Sequence, residues 1–139
     1  MREDFTLCVS RLLLAAIFLH EGVFLVINFD AAAVSMAKSG VPASLLAATA
    51  ALQLAAGFAV ALGWWTRIGA AALGLFCLAT AAMFHANFAV RNELLHFEKD
   101  LAIAGGLFVL MVRGAGGWSI DGLMRANAAP SLSRTEPAQ

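Results

Sequence analysis

No Asp, Glu, Lys or Arg occurs between Lys38 and Arg67, and none occurs between Arg67 and Arg91. An apolar stretch of ~20 residues covers the ~30 Å hydrocarbon core of a bilayer as a helix. Within hydrocarbon, only helices and closed barrels satisfy their own backbone groups. Membrane-spanning helices are therefore expected at 42–64 and 68–90, with another at 7–29, where Glu21 is the single charge beyond Arg11. The charged opening Met1-Arg-Glu-Asp leads into a run that is too long and too polar for a cleaved signal. Charged residues make up 13% of the 139 residues and hydrophobic ones 61%, whereas soluble domains carry about 25% charge. Nine basic residues balance nine acidic ones, so the positive footprint of a nucleic-acid binder is missing.

The fourth apolar run, Leu101–Val112, has 12 residues and would be only ~18 Å long as a helix, too short to span. Arg113 and three nearby glycines, Gly114, Gly116 and Gly117, stop it downstream. The helix must therefore start early, at about Glu93, and run to 113. That early start carries Glu98, Lys99 and Asp100 to membrane depth. The expected fold is an all-α transmembrane four-helix bundle over 1–121, with spans 7–29, 42–64, 68–90 and 93–113. A short interfacial helix is expected between Asp30 and Val41, ended by Ser39-Gly40, and a short surface helix near Asp121–Asn127. The tail 122–139 is otherwise expected to be cytoplasmic and largely disordered.

Basic residues in short loops set orientation. Arg2, Arg11, Arg67, Arg113, Arg125 and Arg134 collect on one side, against Lys38, Arg91 and at most Lys99 on the other. Both termini are thus expected in the cytoplasm, with Trp64, Trp65 and Trp118 at the inner interface. A ridge of small residues (Ala43, Ala47, Ala51, Ala55, Ala59, Gly63) recurs every four positions and is expected to bring helices close together in lipid.

Helical rise of ~1.5 Å per residue places His20, Glu21, Gln53, His85, His96, Glu98, Lys99 and Asp100 between midplane and the outer half of the membrane. His96, Lys99 and Asp100 share one helix face through their i, i+3, i+4 spacing. Charges at membrane depth cost about 2.5–3.5 kcal/mol each and normally face the interior. Three acids, Glu21, Glu98 and Asp100, then face Lys99 alone. A carboxyl must stay protonated, a histidine must take up protons, or a cation or ligand dipole must enter. Bland alternatives remain open: a Glu21–Lys99 pair that pins two helices, Glu98 turned to the headgroups, or Asp100 accepting hydrogen bonds at a helix start.

Several chemistries are excluded. Cys8 and Cys77 form no C-x-x-C and lie at different depths, so dithiol exchange has no substrate pair. His20 and His85 differ by ~12 Å in depth, which argues against a bis-histidine haem. A di-iron carboxylate centre needs Glu-x-x-His pairs on two helices, and the chain does not supply them. No metal site is expected, although His85, His96 and a carboxylate leave a single-metal alternative open. Phosphate-loop, dinucleotide and G-x-S-x-G motifs are absent from the sequence.

The ordered set Arg11, His20-Glu21-Gly22, Gly40-Val41-Pro42, Gly63-Trp-Trp-Thr-Arg67 and His85 resembles the DoxX family of small four-helix membrane proteins. So does Phe97-Glu-Lys-Asp-Leu-Ala-Ile-Ala-Gly-Gly106, followed by Gly114-Ala-Gly116 and Trp118-Ser-Ile-Asp121. The likeness covers about Thr6 to Asp121. It implies an inner-membrane location and a loose association with redox complexes, the family being named after a thiosulfate–quinone oxidoreductase subunit. Where many members carry an acid on the second span, this chain has Gln53. The leading expectation is a redox-associated subunit, quinone-linked if catalytic, with no tightly bound cofactor. Glu21, His85, Lys99 and Asp100 would act on the polar end of a quinone-like or other small ligand, with His20, Gln53, His96 and Glu98 lining the site. Electrons would come from a partner protein, and a homo-oligomer is left open. The alternatives are a small proton-coupled transporter and a non-catalytic scaffold or assembly subunit.

Overall fold

The computed structural model describes residues 1–128 apart from 39, 41, 43 and 86. Among these the chain is entirely helical: α1 (Arg2–Ile27), α2 (Phe29–Lys38), α3 (Ser44–Leu62), α4 (Thr66–Phe84), α5 (Arg91–Arg113) and α6 (Ile120–Ala128). α1, α3 and α4 are long and apolar enough to cross a membrane. α5 has 23 residues, ~34 Å of helix, but it carries Glu98, Lys99 and Asp100 in its first half. It starts even earlier than the length argument requires.

Two expected boundaries are corrected. The third apolar helix ends at Phe84 and not at Val90; His85 caps it, its backbone N–H bonding to the Ala81 carbonyl. The remaining loop residues turn the chain so that α5 can run antiparallel to α4. The interfacial helix begins directly at Phe29, after Asn28 closes α1 through its backbone N–H to Phe24 O. Of the Ser39-Gly40 pair expected to end it, Gly40 donates its N–H to Ala37 O at 3.1 Å, while Ser39 lies outside the described residues, as do Val41, Ala43, Arg134 and everything after 128.

α4 packs most extensively on α5, α1 packs on α3, and α3 packs on α4, whereas α1 and α5 meet only sparsely. The shared core is built from Phe18, Leu73, Cys77, Val60, Leu107 and Leu110 with alanines between them. Large apolar side chains such as Leu13, Phe58, Leu75, Val109 and Val112 point outward, the surface a chain dissolved in lipid requires.

Only the end of the small-residue ridge makes close contacts, where Ala59 approaches Gly69 and Gly63 is buried against Arg11. Ala47, Ala51 and Ala55 are exposed, and the buried face of α3 is Leu46, Ala50, Gln53, Gly57 and Val60. Glycines supply the close approach instead. A Cβ on Gly22 would lie 2.8 Å from Leu54 Cγ, and one on Gly57 would lie 3.0 Å from Leu19 Cδ2. Over the rest of its length the ridge expectation fails because filling the core takes the bulk of Leu46 and Val60, which lie on the neighbouring face.

The end of the molecule that carries the start of α1 is fastened by a polar lock. Arg11, 2% exposed, donates from Nη1 to Ala115 O and from Nη2 to Trp118 O, both at 2.8 Å. Arg11 is therefore a buried structural group as well as one of the expected topology-setting charges. Asp121 accepts the backbone N–H of Trp65 (3.0 Å) and Thr66 (3.1 Å), capping α4, while its own N–H donates to Gly63 O at 2.8 Å. Gly63 has φ +72, and a Cβ there would collide with Arg11 Nη1. Asp4 Oδ1 accepts the Gly117 N–H, and Ser119 Oγ accepts the Gly122 N–H at the start of α6. Most of the glycine-rich and tryptophan motifs that carry the family resemblance thus belong to this lock.

Candidate functional site

Toward the opposite end, one cavity of about 310 Å³ lies among the long helices. α1 contributes Ile17, Phe18 and Glu21, and α3 contributes Gln53. Phe76, Cys77 and Thr80 come from α4, followed by His85 at its cap, and α5 adds His96, Lys99, Asp100 and Ile103. Six of the eight residues singled out in the sequence therefore line one space. The periodicity of α5 explains its share, since His96, Lys99, Asp100 and Ile103 fall on one face.

The other two stand apart. His20 is 77% exposed at its side chain and reaches only Glu21, Nδ1 to Oε1 at 3.6 Å. Successive helical residues point ~100° apart, so Glu21, its side chain 52% exposed, borders the cavity while His20 does not line it. Glu98 is exposed and does not line the cavity, whereas Asp100 lines it half-buried and Lys99, itself exposed, borders it. The acid excess inside falls accordingly: Glu21 and Asp100 face Lys99. The alternative Glu21–Lys99 ion pair is not among the salt bridges formed by the described residues. Asp100 does not sit at a helix start; it lies inside α5, where its Oδ2 is 3.4 Å from Thr80 Oγ1.

Two short polar chains run along the cavity wall. Lys99 Nζ is 3.2 Å from His96 Nδ1. The His96 ring stacks on His85, with centroids 5.0 Å apart, and His85 Nδ1 is 2.7 Å from Glu93 Oε2. Glu93 and Thr80 escaped the sequence reading. Glu93 was legible as the i−3 neighbour of His96 on the same stripe, whereas no spacing rule within α4 marks Thr80. The most telling group is Gln53. It is 7% exposed, and its Oε1 is buried with no hydrogen-bond partner among the described residues. A buried amide oxygen left unpaired costs roughly 1–3 kcal/mol, a cost that a ligand O–H or N–H would relieve. Among the described residues no group of three His, Cys, Asp or Glu side chains is disposed to hold a metal ion.

Comparison with known proteins gives the family of the chain. The DoxX family model matches residues 6–86. "Inner membrane protein YqjF" of Escherichia coli (strain K12) is 34% identical over 122 residues, covering 88% of this chain and 94% of that protein. The chain belongs to the DoxX family. "Inner membrane protein YphA" of the same organism is 30% identical over 122 residues, covering 83% of the chain and 87% of that relative. No solved structure matches it. As a DoxX-family member with three apolar helices long enough to cross a bilayer, the protein is an inner-membrane protein.

Outside the spans, one carboxyl is shifted. Burial would raise Asp121, yet the N–H groups of Thr66 and Trp65 outweigh it and hold that carboxyl below its ordinary 3.8. It belongs to the lock and not to the cavity.

Proposed function

We propose that all four long helices cross the inner membrane as a four-helix bundle with both termini cytoplasmic. In this reading the cavity binds the polar head of a quinone-like molecule for a redox-associated subunit. The observation that carries it is Gln53: a buried acceptor left unpaired among the described residues, beside a space that Glu21, His85, His96, Lys99 and Asp100 also line. Lys99 is a donor for a carbonyl or anionic oxygen of the head, and Gln53 Oε1 is an acceptor for a hydroxyl. Asp100, His96 and Glu21 are at hand to exchange the protons that accompany reduction of a quinone to a quinol, the two electrons coming from a partner protein. The orientation is supported by Arg2, Arg67, Arg113 and Arg125 gathering at the locked end together with the exposed Trp64, Trp65 and Trp118.

The experiment is a titration of the full-length protein in lipid nanodiscs with a tail-less benzoquinone. Saturable binding is expected, weakened in Gln53→Leu and Lys99→Met. Purely linear partitioning, the same for all three proteins, would remove the reading. A second reading, a proton-coupled carrier, is favoured by the Lys99–His96 and His85–Glu93 contacts between the cavity and the outer end. It predicts pH-driven flux in proteoliposomes that Glu93→Gln abolishes.

A further inference from the structure

The polar cavity is not the whole of the space between α1 and α5. On its side toward the lock lies a second cavity of about 420 Å³, lined by Ser10, Leu13 and Leu14 of α1 and by Gly106, Val109 and Leu110 of α5. Its lining is apolar apart from Ser10. The two spaces share helix faces: Ile17 and Ile103 line the polar one, and Leu14 and Gly106 follow one turn away on the same sides of their helices. Between them Leu14 packs over Gly106, where an added Cβ would come within 3.3 Å of Leu14 Cδ2, so only this one flexible side chain stands between the two spaces on this face. This is also the sparsely packed seam of the molecule.

Size separates the two roles. Pockets that enclose whole drug-sized molecules run from about 300 to 1,000 Å³. The polar cavity, at about 310 Å³, takes a ring-sized head and leaves any long chain outside. Asp100 and Val109 lie ~14 Å apart along α5, and Ile103 and Gly106, which face α1 between them, carry no polar side chain. We infer that the ligand is an amphiphile whose hydrogen-bonding head sits in the polar cavity and whose linear hydrocarbon tail lies in the α1–α5 groove. The inference rests on the proposed ligand site and names the class of molecule that site takes. Lipid chains are as apolar as the groove, so the tail gains little from the hydrophobic effect. What the groove supplies is close packing and direction: it fixes where the chain leaves the head, and so orients the head toward Lys99 and Gln53.

Location is therefore the quantity to measure. The full-length protein in lipid nanodiscs is irradiated with a benzoquinone whose decyl chain ends in a diazirine, and labelled residues are mapped by mass spectrometry. Labelling is expected on Ser10, Leu14 and Leu110, and excess tail-less benzoquinone should compete it away. Gly106→Leu, with Ser10→Leu as a second variant, should lower groove labelling roughly tenfold by filling the space while leaving tail-less benzoquinone binding intact. Ala51→Leu, on the outward face of α3, should change nothing. Three results would overturn the inference: labels spread over outward residues such as Phe58 and Leu75; groove labelling that the tail-less compound does not displace, which marks an ordinary lipid chain; or cross-links between two copies of the chain. In each of these cases tail-less benzoquinone still binds saturably. Loss of that binding instead marks failure of the ligand site itself.

Discussion

Replacing Arg11 by Met tests the lock quantitatively. The guanidinium is almost fully buried and makes two charge-assisted hydrogen bonds of 2.8 Å to carbonyls of the 114–119 loop. Hydrogen bonds to charged groups contribute about 1.5–3 kcal/mol each. Removing one member of a buried charged arrangement costs about 3–5 kcal/mol, because the remaining polar groups are left unpaired. Taking ~4 kcal/mol and ~2–4 °C per kcal/mol for a chain of this size, the unfolding midpoint should drop by roughly 10 °C. Arg11→Lys keeps the charge but offers no planar fork, so it serves one carbonyl well and should fall between the two. The assay is thermal unfolding in detergent, paired with tail-less benzoquinone binding. Binding should persist below the new midpoint, since Glu21 lies ~15 Å further along α1. An Arg11→Met protein as stable as wild type would refute the lock, and one that is stable but no longer binds would refute its separation from the site.

Asp121 gives a pH test with a definite sign. Its folded pKa is lowered, so its stabilisation is fully present above the ordinary 3.8 and is lost as pH falls through the lowered folded value. Asp121→Asn should be less stable at neutral pH and should show a flatter loss of stability on acidification; an unchanged acid profile in thermal melts would count against the α4 cap. Gly22→Val should cost about 1–3 kcal/mol by overpacking against Leu54. It should also weaken benzoquinone binding, because α1 and α3 together set the position of Gln53. A variant with wild-type midpoint and affinity would show that this close approach is not needed.

The early start of α5 was legible because a helix of fixed rise cannot span hydrocarbon with 12 apolar residues. The convergence of His96, Lys99 and Asp100 was legible because i, i+3, i+4 spacing defines a face. What the linear order hid was which faces meet. Ala47, Ala51 and Ala55 form a perfect stripe, yet they point outward, because a stripe carries no information about its neighbours. Glu21 and Lys99 line the same cavity, but their pairing depends on the α1–α5 distance, and that seam is sparsely packed. Arg11 read as a topology signal; its burial follows from a loop more than 100 residues away in sequence. Thr80 joined the site only through packing of α4 on α5.

The central claim is that Asp100 belongs to a polar cavity within the hydrocarbon region. Native membranes can be treated in parallel with a lipid-soluble and a water-soluble carbodiimide, and modified carboxyls mapped by mass spectrometry. Asp100 should react with the lipid-soluble reagent alone and be protected by tail-less benzoquinone, whereas Glu3, at the exposed end of α1, should react with the water-soluble one. Asp100 reacting with the water-soluble reagent as readily as Glu3, with no protection by the quinone, would place it in open water and contradict the account.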